Sequence, residues 1–385
     1  MTERRAQPER AAQVPEELTG QPRRVAVGSV VLRRMFSALR HRNFRLFFAG
    51  QLVSLMGTWM QNTALSWLVY QLTGSKVLLG VVSAASTAPM FFLSPYGGSL
   101  ADRHPKRRVL LCTQTGMMIL AFILAGLAAA GILRPAHIVV ISALGGVAMA
   151  FDMPARQSFF VEITSREDLM NAISLNSAIV NGARVVGPAV AGLIMAKTSP
   201  AVCFLMNGLS FLAVLAGLMS MRLGHLSAHR HPHSPGHLRE GFKYVLETRR
   251  LRIVFALFAV VGIFGWSYSV LMPALATDVL HLQERGYGIL LGANGIGALA
   301  GALTTAAFGG SFTPRRLAFT GLYVFSAMLL TLTAFPHYAT ASLCLVCSGW
   351  GMMLFFSTIN TVIQTSVPDN LRGRIMGIGR WCLAA

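Results

Sequence analysis

The sequence predicts an all-α polytopic membrane protein built from two six-helix halves. Three observations carry that prediction. Hydrophobic residues make up 54% of the chain and charged residues only 12%, whereas a soluble globular chain carries about 25% charged residues. Apolar runs long enough to cross about 30 Å of hydrocarbon, roughly 20 helical residues each, recur along its length. The second of these runs reappears 212 residues later, which divides the chain into repeated halves.

Ten runs are predicted as full spans, at 46–71, 77–99, 109–130, 137–157, 172–196, 200–220, 253–275, 287–308, 317–335 and 338–360. An eleventh starts near residue 375 and is cut by the C-terminus, so the expectation is ten full helices and a partial eleventh. Residues 1–43 mix Arg, Glu, Pro and Gln and read as a disordered, Arg-rich cytoplasmic tail. They lack the apolar core of a secretory signal, and their acids argue against a transit peptide. Residues 44–220 then form the N-terminal six-helix bundle, 221–251 a cytoplasmic linker, and 252–385 an incomplete C-terminal bundle.

Of the 33 Lys and Arg residues, 28 fall on one side of the predicted spans and 4 on the other, and Arg184 lies within a span. By the positive-inside rule this bias puts the N-terminus in the cytoplasm, with the chain multi-pass in a bacterial inner (plasma) membrane. The bases hold topology and touch anionic lipid, so the net charge of +19 does not point to nucleic acid. The five cysteines lie mostly in apolar runs, and Cys344-x-x-Cys347 has no partner pair. They read as small buried residues, not redox or metal ligands. Five histidines between His225 and His237 read as solvated linker. No cofactor, metal or enzyme chemistry is expected.

The repeat is read from LLGVVSAASTAPMFFLSPYGGSL at 78–100 and LLGANGIGALAGALTTAAFGGSF at 290–312, which align without a gap. Each copy leads into a basic cluster, Lys106-Arg107-Arg108 and Arg315-Arg316. Parallel halves of this kind are a recurring transporter architecture, with the substrate site between them near mid-membrane. Gly288, Gly292, Gly297 and Gly301 fit close helix packing, although Gly292 to Gly297 loosely echoes a nucleotide loop. No Walker loop is present, so ATP is not the energy source.

The connection between spans two and three carries Gly98-Ser-Leu100-Ala101-Asp102-Arg103-x-x-Lys106-Arg107-Arg108. This resembles the G-x-L-a-D-R-x-G-R-R signature of the major facilitator superfamily, with Pro105 where Gly is usual. Phe44-Arg-Leu-Phe-Phe-Ala-Gly-Gln51, Met153-Pro-Ala-Arg-Gln157, Asn181-Gly-Ala-Arg-Val-Val-Gly-Pro-Ala-Val-Ala-Gly192 and Val367-Pro-Asp-Asn-Leu-Arg-Gly-Arg374 look like its drug, macrolide and enterobactin exporter branch. The resemblance spans about 44–380. It implies twelve helices, a central cavity lined by helices one, four, seven and ten, and a conformational latch at the signature. Gly98, Asp102, Arg103 and Arg107 are the gating candidates there, with Gly187 and Pro188 in span five. A topological role for Arg107 and Arg108 is the competing reading.

Within the spans, Gln51, Ser54, Thr58, Gln61, Asn62 and Ser66 fall on an arc of roughly 140° at 100° per residue. Such a stripe faces protein or a water-filled cavity, not lipid. Gln61 and Asn62 are candidate substrate contacts, with Asn181 and Arg184 in span five. Trp59, Trp266 and Tyr268 are further candidates; with Trp350, Met352, Met353, Phe355 and Phe356 they would make a soft apolar cavity. Asp152, in the inner third of span four, is the candidate for proton coupling, against pairing with Arg156 or capping the helix. The function implied is secondary active export of an amphipathic small molecule by a monomer, through proton antiport and alternating access. Its partners are that small molecule, membrane lipid and a proton gradient. A nutrient importer of the same fold, or a truncated non-transporting membrane protein, are the alternatives.

Overall fold

The computed structural model describes residues 36–165, 167–222, 246–308 and 312–366. Most of the N-terminal tail, the histidine-rich part of the linker and the partial eleventh span lie outside the described residues. So do the side chains of Asp102 and Trp266.

Each of the ten predicted runs becomes a long helix. They are α1 (Arg42–Thr73), α2 (Lys76–Arg103), α3 (Lys106–Ala129), α4 (Pro135–Ile163), α5 (Leu169–Met195) and α6 (Pro200–Ser220). The second half holds α7 (Arg249–Val270), α8 (Glu284–Phe308), α9 (Pro314–Ala334) and α10 (Tyr338–Ser366). Local chemistry sets their ends. Gly74 closes α1 in the left-handed conformation, with φ 58°, and its N–H returns to the Tyr70 carbonyl. The Ser75 hydroxyl accepts from Leu78 N–H at 3.2 Å and opens α2 two residues later. Pro135, Pro200 and Pro314 stand at first helical positions, where the missing N–H costs nothing.

Two features differ from the hydropathy reading. The seventh span was expected to run to 275, but α7 stops at Val270. Pro273 has no N–H for the carbonyl four residues back, and the chain continues as a short turn, Met272–Ala274, then a π-helical turn, Leu275–Val279. In addition, nine of the ten helices are long and apolar enough to cross a membrane. The tenth, α1, has 32 residues, or about 48 Å of helix, and falls outside that group. Its polar stripe and its basic first turn lower its mean hydropathy.

Among the described residues, His41 at the start of α1 pairs with Asp168 before α5, Lys106 at the start of α3 pairs with Glu162 at the end of α4, and Arg107 meets Met219 at the end of α6, so these helix ends share one end of the bundle, called here the basic face; the other end is the opposite face. In the first half α1 packs on α5 and α6, α2 on α4, and α3 on α4 and α6. In the second, α8 packs on α10 and α9 on α10. A similar close approach occurs in both: a Cβ on Gly146 would strike the backbone of Ser86, and a Cβ on Gly349 would strike the Asn294 carbonyl and stand 3.1 Å from Ala298 N, one turn further along. Ala298 is Ser86 shifted by 212 positions, so corresponding helices pack together in both halves.

The halves meet where α5 crosses α8, with backbone against backbone. A Cβ on Gly192 would lie 2.8 Å from Gly288 Cα, and one on Gly295 would lie 2.7 Å from Val185 Cα. The glycines of α8 thus serve two faces, Gly288 and Gly295 toward α5, Gly297 and Gly301 toward α10. At the basic face α1 is anchored by aromatic packing, with Phe47 edge-on to Phe160 at 5.5 Å and to Phe159 at 5.7 Å. His41 pairs there with Asp168 at 2.9 Å, and the Ser37 hydroxyl and His41 together hold the Asp168 carboxyl below its ordinary range.

Candidate transport cavity

A cavity of about 450 Å³ opens among α1, α2, α3, α4 and α6, with Ser269 and Val270 of α7 at its rim. This volume falls in the range of small-molecule sites, roughly 300–1,000 Å³. All six residues of the polar stripe on α1 border it. That is why α1 tolerates so many polar groups: they face a cavity, not lipid. Ser83, Ser86 and Thr87 of α2 and Ser142 of α4 add hydroxyls, while Met90, Met117 and Met149 supply apolar wall. The lining differs from the expected set of helices one, four, seven and ten. Helices of the first half build nearly all of it.

Toward the basic face the cavity ends at a buried polar cluster. Asp152 on α4 is fully buried. Its carboxylate accepts from Thr113 Oγ1 and Gln114 Nε2 on α3, each at 2.8 Å, and from the guanidinium of Arg156, one turn along α4. Arg156 also donates to Gln51 Oε1 on α1. The i, i+4 spacing of Asp152 and Arg156 brings them to one helix face, so the pairing alternative is what the geometry shows around Asp152. Gln51 and Arg156 border the cavity; Asp152 lies behind Arg156 and is not part of the lining. Deeper, Asn207 on α6 donates to Gln61 Oε1 at 2.8 Å and ties α6 to the stripe.

The remaining candidates fall into other places. Trp59, Arg184 and Tyr268 form a second group, in which the Arg184 guanidinium lies 5.9 Å from the Trp59 ring centre. A base at that depth costs roughly 2.5–3.5 kcal/mol, and a ring face returns about 0.5–2 kcal/mol. Asn294 on α8 donates to the Tyr268 hydroxyl at 2.8 Å, and Phe325 meets the Tyr268 ring edge-on. Asn181 donates to the Ser177 carbonyl of its own helix. Trp350 donates to Thr304 Oγ1 at 3.1 Å, and Met352 and Phe355 are buried in the second half. Gly187 lies against Trp59, and the Pro188 carbonyl faces Gly288, so this pair sits where α5 meets both α1 and α8.

Just before the signature, Gly97 is without room for a side chain, pressed on Ala150 of α4, while Gly98 at its start has open space around it. Arg103 is exposed at the end of α2. Arg107 donates to the Met219 carbonyl at 2.8 Å, so a base meets the C-terminal turn of α6. Lys106 pairs with Glu162 at 2.7 Å and ties the start of α3 to the end of α4.

The opposite face is where the halves join by side chains. Tyr70 on α1 donates to Asp278 at 2.6 Å, Lys76 pairs with Asp278 at 3.1 Å, and Gln71 donates to Glu284 at 3.1 Å. Trp67 stacks on Tyr287 with ring centres 5.1 Å apart. The Tyr70 hydroxyl first, and Lys76 second, hold the Asp278 carboxyl below its ordinary range. Sequence reading did not find this joint. The sequence carries one sign of it, an acid, Asp278, just past the seventh predicted run.

Two helical halves joined at one face, with a polar cavity built mostly within the first of them, define a membrane transporter of the major facilitator fold. Solved structures agree on the fold. A bacterial homologue of the human lysosomal transporter Spinster, inward-facing and unoccupied, superposes with a TM-score of 0.73 at 12% identity, covering 89% of this chain and 79% of that one. The nucleoside transporter NupG gives 0.72 at 12% identity, covering 91% and 88%. The chain belongs to the transmembrane secretion effector family, which matches residues 34–382. It is a transporter and not an enzyme. Among relatives it is 25% identical to the staphyloferrin A transporter of Staphylococcus aureus, over 87% of this chain and 84% of that protein. It is 28% identical to the multidrug efflux pump Tap of Mycobacterium tuberculosis, over 87% and 82%. It is 25% identical to the enterobactin exporter EntS of Escherichia coli, over 88% and 81%.

Proposed function

We propose that this chain is a secondary active exporter of an amphipathic small molecule, working by alternating access and driven by proton antiport. The observation that carries the reading is the cavity lined by the whole polar stripe of α1, together with the joint between the halves at the opposite face. The positive-inside bias makes the basic face cytoplasmic, so the joint closes the outer side. Relatives that are efflux pumps or siderophore exporters support outward transport. The substrate enters the cavity from the cytoplasmic side, the outer joint opens, and α5 and α8 part at the Gly192–Gly288 end of their crossing, next to that joint.

Asp152 is the acid proposed to exchange the proton. A proton on its carboxyl removes the charge that holds the Arg156 guanidinium and weakens the Asp152–Arg156 link of the chain, so loading the proton loosens the end of the cavity. Asp102 and Arg103 are proposed as the cytoplasmic latch, and Gly187 and Pro188 as part of the moving crossing.

The test is accumulation of an amphipathic dye in membrane vesicles. Inside-out vesicles with an acid lumen should concentrate it and lose it on adding a protonophore. Accumulation in right-side-out vesicles, or in neither kind, contradicts the reading. Asp152→Asn should abolish pH-driven accumulation while counterflow exchange continues. Loss of both, or of neither, returns Asp152 to a structural ion pair.

A further inference from the structure

We propose that the ligand is uncharged where it meets Gln51 and Arg156, and presents an oxygen acceptor of carbonyl, ester or amide type to them. The proposal rests on reading this cavity as the transport site. It adds the chemical class of the ligand.

Charge comes first. Among the described residues bordering the cavity, Arg156 is the one charged side chain. Its guanidinium is bound to Asp152, which is itself fully buried. The carboxylate is further held by Thr113 and Gln114. The pair is neutral as a unit, so the wall offers no net counter-charge to a ligand of either sign. An ionised group brought there loses its water and gains no partner of opposite charge, which is costly in a low-dielectric site.

Hydrogen bonding comes second. Gln51 is buried to 1% exposure, and its Oε1 faces Arg156. That contact fixes the amide, because a guanidinium can only donate. Gln51 Nε2 is therefore a donor turned away from Arg156, and it is buried with no acceptor. Arg156 Nε is likewise buried with no acceptor, and so is the Ser142 hydroxyl. All three atoms belong to side chains that border the cavity. Buried polar groups are almost always satisfied, so two N–H donors buried without an acceptor beside one end of one cavity mark the seat of an acceptor that enters as the Gln51 and Arg156 side chains part. The donor on the guanidinium makes the stronger kind of bond. Beyond this end, Thr58, Gln61, Asn62 and Ser66 are polar but neutral, and Met90, Met117 and Met149 are apolar. A ligand with a neutral oxygen at one end and an apolar body matches both parts.

The experiment measures binding to the full chain in nanodiscs, with empty nanodiscs as the blank. The probes are three pyrene derivatives of one length, ending in a primary amide, a carboxylate or a trimethylammonium group. The amide should bind at least about tenfold more tightly than either charged form, the worth of roughly one good hydrogen bond. Gln51→Glu keeps an acceptor for Arg156 but removes the open donor and adds charge. It should weaken amide binding by about tenfold. Gln51→Met removes the same donor without adding charge and should weaken the amide alike, which guards against a folding effect peculiar to one variant. A carboxylate or ammonium that binds as well as the amide overturns the proposal. So does amide binding that survives both substitutions. In either case vesicle transport can still proceed, and the transport reading stands. If no probe binds and the vesicles accumulate nothing, both readings fail together.

Discussion

Adding one methyl group at Gly288 should unbalance the two halves. A Cβ there would lie 2.6 Å from Gly192 Cα and 2.8 Å from the Pro188 carbonyl oxygen. Carbon atoms settle at about 3.5–4.0 Å, so α5 and α8 must part by roughly 1 Å at this level. Both neighbours are backbone, so no side chain can swing aside. Overpacking of this kind costs about 1–3 kcal/mol, and the cost falls on the state in which the halves are joined at the opposite face. That state should lose occupancy by about 5- to 150-fold relative to the open one. The assay is a distance distribution between spin labels at Leu72→Cys and Arg285→Cys, in a background without native cysteines. Gly288→Ala should move the distribution to longer distances. Gly292→Ala, one turn along, meets the Ala189 Cβ at 3.3 Å and the Val185 carbonyl oxygen at an ordinary contact distance of 3.8 Å and should change it far less. Equal distributions for the two variants would refute the reasoning, because they differ only in what the new Cβ meets.

Three further outcomes are expected. Asp278 is held below its ordinary value of 3.8 by Tyr70 and Lys76, so its contribution to outer closure is fully present above that value and is lost as pH falls through the lowered one. The same label pair should therefore show no change across neutral and mildly acid pH, and Tyr70→Phe should shift the opening toward higher pH. Asp152→Leu strips the Arg156 guanidinium of its buried partner and should cost about 3–5 kcal/mol of stability, measured by thermal melting in detergent; Asp152→Leu with Arg156→Met should recover most of it. Asp102→Asn should leave expression and insertion intact and sharply reduce vesicle transport, and normal transport by that variant would remove the latch.

Much of the fold was legible because insertion into a bilayer is governed by apolar length, which sequence displays directly. The ten long helices, the polar stripe of α1 and the 212-residue repeat are visible in composition and periodicity, and the glycine contacts of Gly146 with Ser86 and of Gly349 with Asn294 and Ala298 fall in corresponding helices of the two halves. Partners were less legible. Tyr70 and Asp278 lie 208 positions apart, and nothing local announces that their helices meet. Asn207 was passed over, although a lone amide in an apolar span is itself a signal that something must satisfy it. Arg156 was read only as a mate for Asp152, because its second bond runs to another helix, α1. The end of α7 was misplaced because hydropathy counts Pro273 as a permissible residue while its backbone cannot donate.

The most direct test of alternating access locks the outer joint and probes the cavity. Gln71→Cys and Glu284→Cys, bridged by a short reducible thiol reagent, fix the contact between the halves, and Thr58→Cys reports on the cavity through an impermeant thiol label. With the bridge in place, the label should reach Thr58→Cys only from the basic face, export should stop, and reduction should restore it. Labelling from both faces, or export that continues while the bridge holds, would contradict the account.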